Sequence, residues 1–271
     1  MYRFFLILLF GVISVFTSRT FAQNETFTST HLWQMKRLAA VEVSPDGKQA
    51  VFTLTSYNID EDKGTTDIFL MDIQTGDQRQ ITFTGKESNP VFSPDGKNIA
   101  FISRRHDGPA QIYLLSLNGG EAQKITDLPV GVYSIKWFPD GKQIAFGANV
   151  LPEYEGDFAK LKTMIDEKKK LKVTAKTTEN AMFRYWDRWL TDGYYSRLFV
   201  VELATKKVTD LMPLTNNYFN MMGGVSFDIS PDGKRIAVSM NNTQPPYEEL
   251  NEDVFLLQTD GSGKMINLTE D

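Results

Sequence analysis

The 271 residues, 41% hydrophobic and 23% charged, are an ordinary globular mixture with room for one large or two ordinary domains. A formal net charge of −5 leaves no basic footprint of the kind nucleic acid requires. The absence of cysteine excludes disulfides, thiolate metal ligands and cysteine nucleophiles, and with only His31 and His106 to supply imidazole no zinc site is expected.

The first stretch reads as an export signal. Arg3 supplies positive charge, Phe4 to Phe16 is nearly unbroken apolar sequence, and Thr20-Phe21-Ala22 places small residues at a cleavage spacing. Residues 1–22 are expected to be removed after Ala22, giving a secreted or periplasmic protein. A retained anchor is the alternative, but about 13 apolar residues fall short of the roughly 18 to 20 that span a bilayer, so no stable membrane insertion is expected. Residues 23–42 read as a helical segment: the Thr28-Ser29-Thr30 hydroxyls can cap a helix carrying Leu32, Met35 and Leu38 at helical spacing. His31, in its first turn, has no evident catalytic partner and reads as a surface or capping residue.

Residues 43–271 are repetitive. Ser44-Pro45-Asp46-Gly47-Lys48 returns as Ser93-Pro94-Asp95-Gly96-Lys97, Phe138-Pro139-Asp140-Gly141-Lys142 and Ser230-Pro231-Asp232-Gly233-Lys234. Proline presets φ, aspartate bonds back to its own backbone and glycine accepts positive φ, so each copy predicts a tight turn between two strands. Each turn feeds a β-prone run: Ala50 to Leu54, Ile99 to Ile102, Ile144 to Phe146 and Ile236 to Val238. A third strand follows at Ile68 to Met71, Gln111 to Leu115, Arg197 to Val201 and Asp253 to Leu257, and short fourth strands end at Ile81-Thr82, Ile125-Thr126 and near Ile266 to Thr269. Asp60 to Gly64 lacks the further oxygen ligands and closing glutamate of a calcium loop and reads as a solvated acidic loop.

The prolines of successive turns lie 49, 45 and 92 residues apart. The first two offsets match the period of about 40 to 50 residues expected of four-stranded propeller blades. The third equals about two periods, from either a blade without its motif or a large insertion. Insertion is favoured, because from about 151 to 189 strand alternation is missing and Phe158, Leu161, Met164, Ile165 and Leu171 fall mostly three or four apart. Lys160, Lys162, Lys168, Lys169, Lys170 and Lys172 read as a solvated basic face. The aromatic run Phe183 to Trp189 reads as buried packing where the insertion rejoins its blade.

The turn motif, the Ile-Ala-Phe-x-Ser run, Gln111-Ile112-Tyr113-Leu114, Gly119-Gly120 and Lys124-Ile125-Thr126 together resemble the propeller repeat shared by TolB-type periplasmic proteins and the prolyl oligopeptidase family of serine peptidases. The leading helix, the helical insertion and Arg184 to Trp189 before Arg197 pull the resemblance towards secreted peptidases of the dipeptidyl-peptidase 5 and acylaminoacyl-peptidase types. It covers Thr28 to Asp271. It implies an all-β propeller of about seven or eight blades, of which four are visible, followed by an α/β-hydrolase domain.

This chain departs from that pattern in its chemistry. It has no Gly-x-Ser-x-Gly elbow: Gly224-Val225-Ser226 comes nearest, and Asp228 stands where the second glycine belongs. No histidine follows His106 to act as general base. The chain is therefore expected to be inactive alone, a non-catalytic, substrate-gating portion of a peptidase acting on short peptides, with its C-terminal α/β-hydrolase domain missing and no catalytic residue, metal or cofactor of its own. In such enzymes a carboxylate is the natural partner for a substrate's free amino terminus, and Glu248, Glu249, Glu153 and Glu155 are the candidates here. The alternative is a stand-alone periplasmic TolB-like propeller acting as a protein-binding scaffold.

Overall fold

The computed structural model describes residues 26–173, 175, 184–186, 188–189, 193–213, 215, 219, 224–243 and 251–270. The chain divides into two compact units, Met1–Met35 and Lys36–Asp271. The export signal lies outside the described residues. Among the described residues no helix is long and apolar enough to cross a membrane.

In the first unit, α1 (Ser29–Gln34) is closed by a capping box: the Thr28 hydroxyl accepts from the His31 amide at 3.3 Å, and His31 Nδ1 accepts from the Thr28 amide at 3.2 Å. His31 is thus a capping residue. The helix is shorter than the 23–42 segment predicts. Met35, its C-cap, is already extended, and Leu38 belongs to a strand, where register with its neighbour overrides helical spacing.

The second unit contains four antiparallel four-stranded sheets. The first blade is β1 (Arg37–Val43), β2 (Gln49–Asn58), β3 (Lys63–Asp72) and β4 (Gln78–Gln80). The second is β5 (Glu87–Phe92), β6 (Asn98–Ser103), β7 (Gln111–Ser116) and β8 (Gln123–Lys124). In the third, β9 (Val132–Trp137) and β10 (Gln143–Val150) are separated from β13 (Tyr195–Glu202) and β14 (Val208–Asp210) by a 3-10 turn at Pro152–Tyr154, α2 (Phe158–Lys170) and the small hairpin β11 (Arg184–Tyr185) and β12 (Arg188–Trp189). The fourth is β15 (Phe227–Ile229), β16 (Arg235–Asn241), β17 (Glu252–Gln258) and β18 (Met265–Asn267). Each sheet is a meander in chain order.

The repeated turn is built as its residues require. Ser44 Oγ donates to Asp46 Oδ1 at 2.7 Å and accepts from the Gln49 amide at 2.9 Å, while Asp46 Oδ1 also accepts from the Lys48 amide at 3.1 Å. Ser93 and Ser230 repeat these contacts. The serine hydroxyl holds the Asp46, Asp95 and Asp232 carboxyls below their usual range. In the third turn Phe138 replaces serine and is buried between the third and fourth blades, so packing substitutes for the hydroxyl bonds.

These turns also stack. A Cβ built on Gly96 would stand 3.7 Å from Pro45 Cδ, one on Gly141 3.7 Å from Pro94 Cδ, and one on Gly233 3.5 Å from the Phe138 ring. Their φ values of 68°, 68° and 69° lie in the left-handed region that glycine tolerates. Because the fourth turn packs on the third, no blade intervenes and the 92-residue offset is an insertion.

The second strands of the second and third blades are buried on both faces, which explains runs such as Ile99-Ala100-Phe101-Ile102 with no polar alternation. The cores lie between blades: Val51, Ile68, Phe92 and Phe101 between the first and second, Phe146 and Phe199 with Ile112 and Ile135 between the second and third, and Leu198, Phe227 and Ile236 between the third and fourth. Each fully buried phenylalanine contributes about 1.5–3 kcal/mol. First strands are also bonded to one another: Glu42 accepts from the Phe92 amide at 2.9 Å, Trp137 Nε1 donates to the Val91 carbonyl at 3.3 Å, and Lys136 pairs with Asp228 at 3.0 Å.

Candidate functional site

With the repeated turns at one end of every blade, the second-to-third-strand loops and the blade-to-blade crossovers gather at the other. The insertion leaves from this loop end, after Val150.

One position organises it. The residue before the first apolar residue of each third strand is Asp67, Gln111, Arg197 or Asp253, ahead of the buried Ile68, Ile112 and Leu198 and the exposed Val254. Each is polar and reaches the end of its own fourth strand. Asp67 Oδ1 accepts from the Gly85 amide at 2.9 Å, and Thr82 Oγ1 accepts from the Ile68 amide at 2.8 Å. Gln111 Oε1 accepts from Thr126 Oγ1 at 2.7 Å and from the Leu128 amide at 3.0 Å, while its Nε2 donates to the carbonyls of Leu128 and Val130. Asp253 accepts from Asn242, from Asn267 at 2.7 Å and from Thr269 at 2.9 Å, contacts that lower its pKa.

The third blade departs from this scheme. Met212 stands where the others carry threonine, and Arg197 Nη1 instead pairs with Asp210 Oδ2 at 2.8 Å, with side-chain exposures of 3% and 9%. The same Asp210 oxygen accepts from Tyr154 Oη at 2.5 Å, and Arg197 lies 5.6 Å from the Tyr154 ring centroid. Burial, then the Asp210 carboxylate, push the Tyr154 phenol up. Tyr154 belongs to the insertion, so the third blade grips its own insertion where the first two bond a crossover.

Asp157 caps α2 by accepting from the Ala159 and Lys160 amides at 2.8 and 3.2 Å. Leu161 and Ile165 are its buried stripe, one turn apart as the spacing predicts, whereas Leu171 is exposed past the helix end. Lys160 pairs with Glu155 at 2.8 Å and Lys162 with Asp166 at 2.6 Å, and Lys168 lies 4.9 Å from the Tyr194 ring centroid. A cavity of about 450 Å³ opens between α2 and the crossover from the second to the third blade, lined by Leu128, Pro129, Phe158, Lys162, Ile165 and Asp166 among others.

Of the candidate carboxylates, Glu153 and Glu155 are exposed on the 3-10 turn and its C-cap, whereas Glu248 and Glu249 lie outside the described residues. Lys160 holds Glu155 below its usual pKa. Within the aromatic run, Trp186 is 79% exposed, against the expectation of buried packing. Among the described residues no three acidic or histidine side chains converge as a metal site requires. The groupings around Arg197 and Asp67 escape a reading of local sequence because their members are 13 to 56 positions apart, but Arg197 at the head of an apolar strand was a visible signal.

Residues 27–181 match the TolB beta propeller domain family. The chain is 31% identical over 217 residues to the uncharacterized peptidase YuxL of Bacillus subtilis, covering 80% of this chain and 31% of that protein. It is 27% identical over 261 residues to dipeptidyl-peptidase 5 of Porphyromonas endodontalis, covering 92% of this chain and 36% of that protein. An acylaminoacyl peptidase from Pyrococcus horikoshii superposes with a TM-score of 0.64 at 18% identity over 91% of this chain and 34% of that one, a likeness of fold. The chain thus spans about a third of the length of these relatives, whose names bear out the resemblance to peptidases drawn from the repeats. By its four meander blades and the match over more than half its length, the chain belongs to the TolB beta propeller domain family.

Proposed function

We propose that this chain is the non-catalytic propeller portion of a secreted serine peptidase, and that it restricts entry to an active site carried by an α/β-hydrolase domain outside these residues. The observation that carries the reading is its similarity, over 92% of its length, to a dipeptidyl-peptidase of which it spans 36%. The lack of a nucleophile elbow in these 271 residues, and of any histidine after His106, is consistent with a triad carried by another domain. The outward strands of the first and fourth blades support a larger ring: Leu38, Val41 and Val43, and Ile266 and Leu268, are more than half exposed, apolar surface of the kind a further blade covers. The insertion, pinned through Tyr154, is the gating element, and Glu153, Glu155, Glu248 and Glu249 are the carboxylates offered to a substrate's amino terminus. Glu153 has no cation partner among the described residues, which favours it over Glu155.

A stand-alone scaffold of TolB type is the second reading, favoured by the family match itself. The test is to capture the native product with an antibody to this chain and assay it. Hydrolysis of short dipeptidyl or N-acyl substrates is expected, with long unfolded proteins spared until residues 157–171 are deleted. A product that hydrolyses no peptide overturns the reading in favour of the scaffold.

A further inference from the structure

A second cavity at the loop end, about 300 Å³, lies where the first three blades approach one another. Its wall includes Lys86, Glu87, Ser88 and Asn89 from the entry into β5, Arg104 from the end of β6, and Tyr133 from β9. Such a volume is at the small end of ligand pockets, roughly 300–1,000 Å³.

The charges around it are unequal. Glu87, its one acidic wall residue, is fully buried at the side chain and satisfied: Arg105 Nη2 donates to it at 3.0 Å, Ser103 Oγ at 3.1 Å, the Lys86 amide at 3.0 Å, and Thr84 also donates. Arg105 is itself held over the Phe101 and Tyr113 rings at 5.2 and 4.7 Å from their centroids. Lys86 and Arg104 are exposed, and among the described residues neither side chain is paired with a carboxylate. Behind the wall Glu87 is paired with Arg105, and its neighbour Asp67 accepts from the Gly85 amide, while on the wall itself the two cations stand beside the Ser88 hydroxyl and the Asn89 amide. Asn89 sits at the bulge where β5 shifts register against β6 and holds φ at 49°, as Ala40 and Ser134 do at 50° in the corresponding bulges of β1 and β9, so this backbone belongs to the blade repeat.

We infer that this cavity binds the α-carboxylate of a short peptide, with Arg104 and Lys86 as its cationic partners. The inference rests on the peptidase reading for its choice of ligand, and it adds a preference for peptides with a free carboxyl terminus. A guanidinium and an ammonium around a pocket too small for a folded chain select a terminal carboxylate over an internal acidic side chain, whose flanking residues would need room on both sides.

The test is calorimetric titration of the full chain with trialanine, trialanine amide and an amidated peptide carrying one internal glutamate. Trialanine is expected to bind at least about tenfold more tightly than its amide, the charge-assisted contacts being lost with the carboxylate. Arg104→Ala, an exposed substitution, is expected to bring trialanine to the level of the amide without changing the melting temperature, and Lys86→Ala to weaken it less. Equal binding of acid and amide, no binding of either, equal binding of the internal glutamate peptide, or an unchanged affinity in Arg104→Ala would each overturn the inference. Since no readout is hydrolysis, an inactive native product would sink the peptidase reading while a positive titration would still stand.

Discussion

At the turn end, Ser44, Ser93 and Ser230 make the same contacts within five residues of chain, and each turn stacks on the one before. At the loop end the single position occupied by Asp67, Gln111, Arg197 and Asp253 has a different residue in the first three blades and a different set of partners in all four. The turn end repeats because its chemistry is local and serves only to return the chain. The loop end varies because each crossover has its own length and cargo, and in the third blade the cargo is the insertion.

The contrast is broken most severely at Arg197. Arg197→Ala leaves Asp210 buried without its cation, and a loss of about 3–5 kcal/mol is expected in chemical denaturation. If the pair instead contributes little, Arg197→Ala will cost no more than a surface substitution. Leu161→Ala on α2 is expected to cost about 2–5 kcal/mol if α2 unfolds together with the blades. Hydrogen exchange sharpens this: faster exchange confined to α2, with β10 and β13 protected, would show the insertion to be a separate unit. At the turn end, Ser93→Ala removes two short hydrogen bonds and is expected to cost only about 0.5–1.5 kcal/mol.

The Asp67 position adds a pH test. Burial, with Glu87 as a neighbouring like charge, raises the Asp67 pKa above its ordinary value, so the folded protein binds a proton more tightly than the unfolded chain. Its contribution is therefore fully present below the unfolded carboxyl range, at about pH 4, and is lost as pH rises through the folded value. Asp67→Asn is expected to remove that decline and to melt slightly higher than the wild type near neutral pH. A steeper decline in the variant would contradict the assignment.

Much of the fold was legible in the residues. Proline, aspartate and glycine in fixed order announce a turn, and the β-prone run after each announces the strand, so blade order and strand count follow from local chemistry. The end of α1 was not legible, since Leu38 suits a helix by spacing and a strand by its pairing with Leu54. Nor was the 92-residue offset decidable from composition; it took the contact of Gly233 with Phe138 to exclude a hidden blade. The loop-end groupings were hidden because Tyr154, Arg197 and Asp210 meet only after the meander has formed. The four candidate glutamates illustrate the limit: a carboxylate near an insertion is easily named, whereas the engagement of Glu155 by Lys160 is a fact of three dimensions.

The most direct measurement is fluorophosphonate labelling of the native product, captured from its source cells with an antibody to this chain and sized by mass spectrometry. A labelled polypeptide about three times the 30.8 kDa of this chain is predicted, in proportion to its relatives. An unlabelled product no larger than 30.8 kDa would contradict the account and leave a binding propeller in its place.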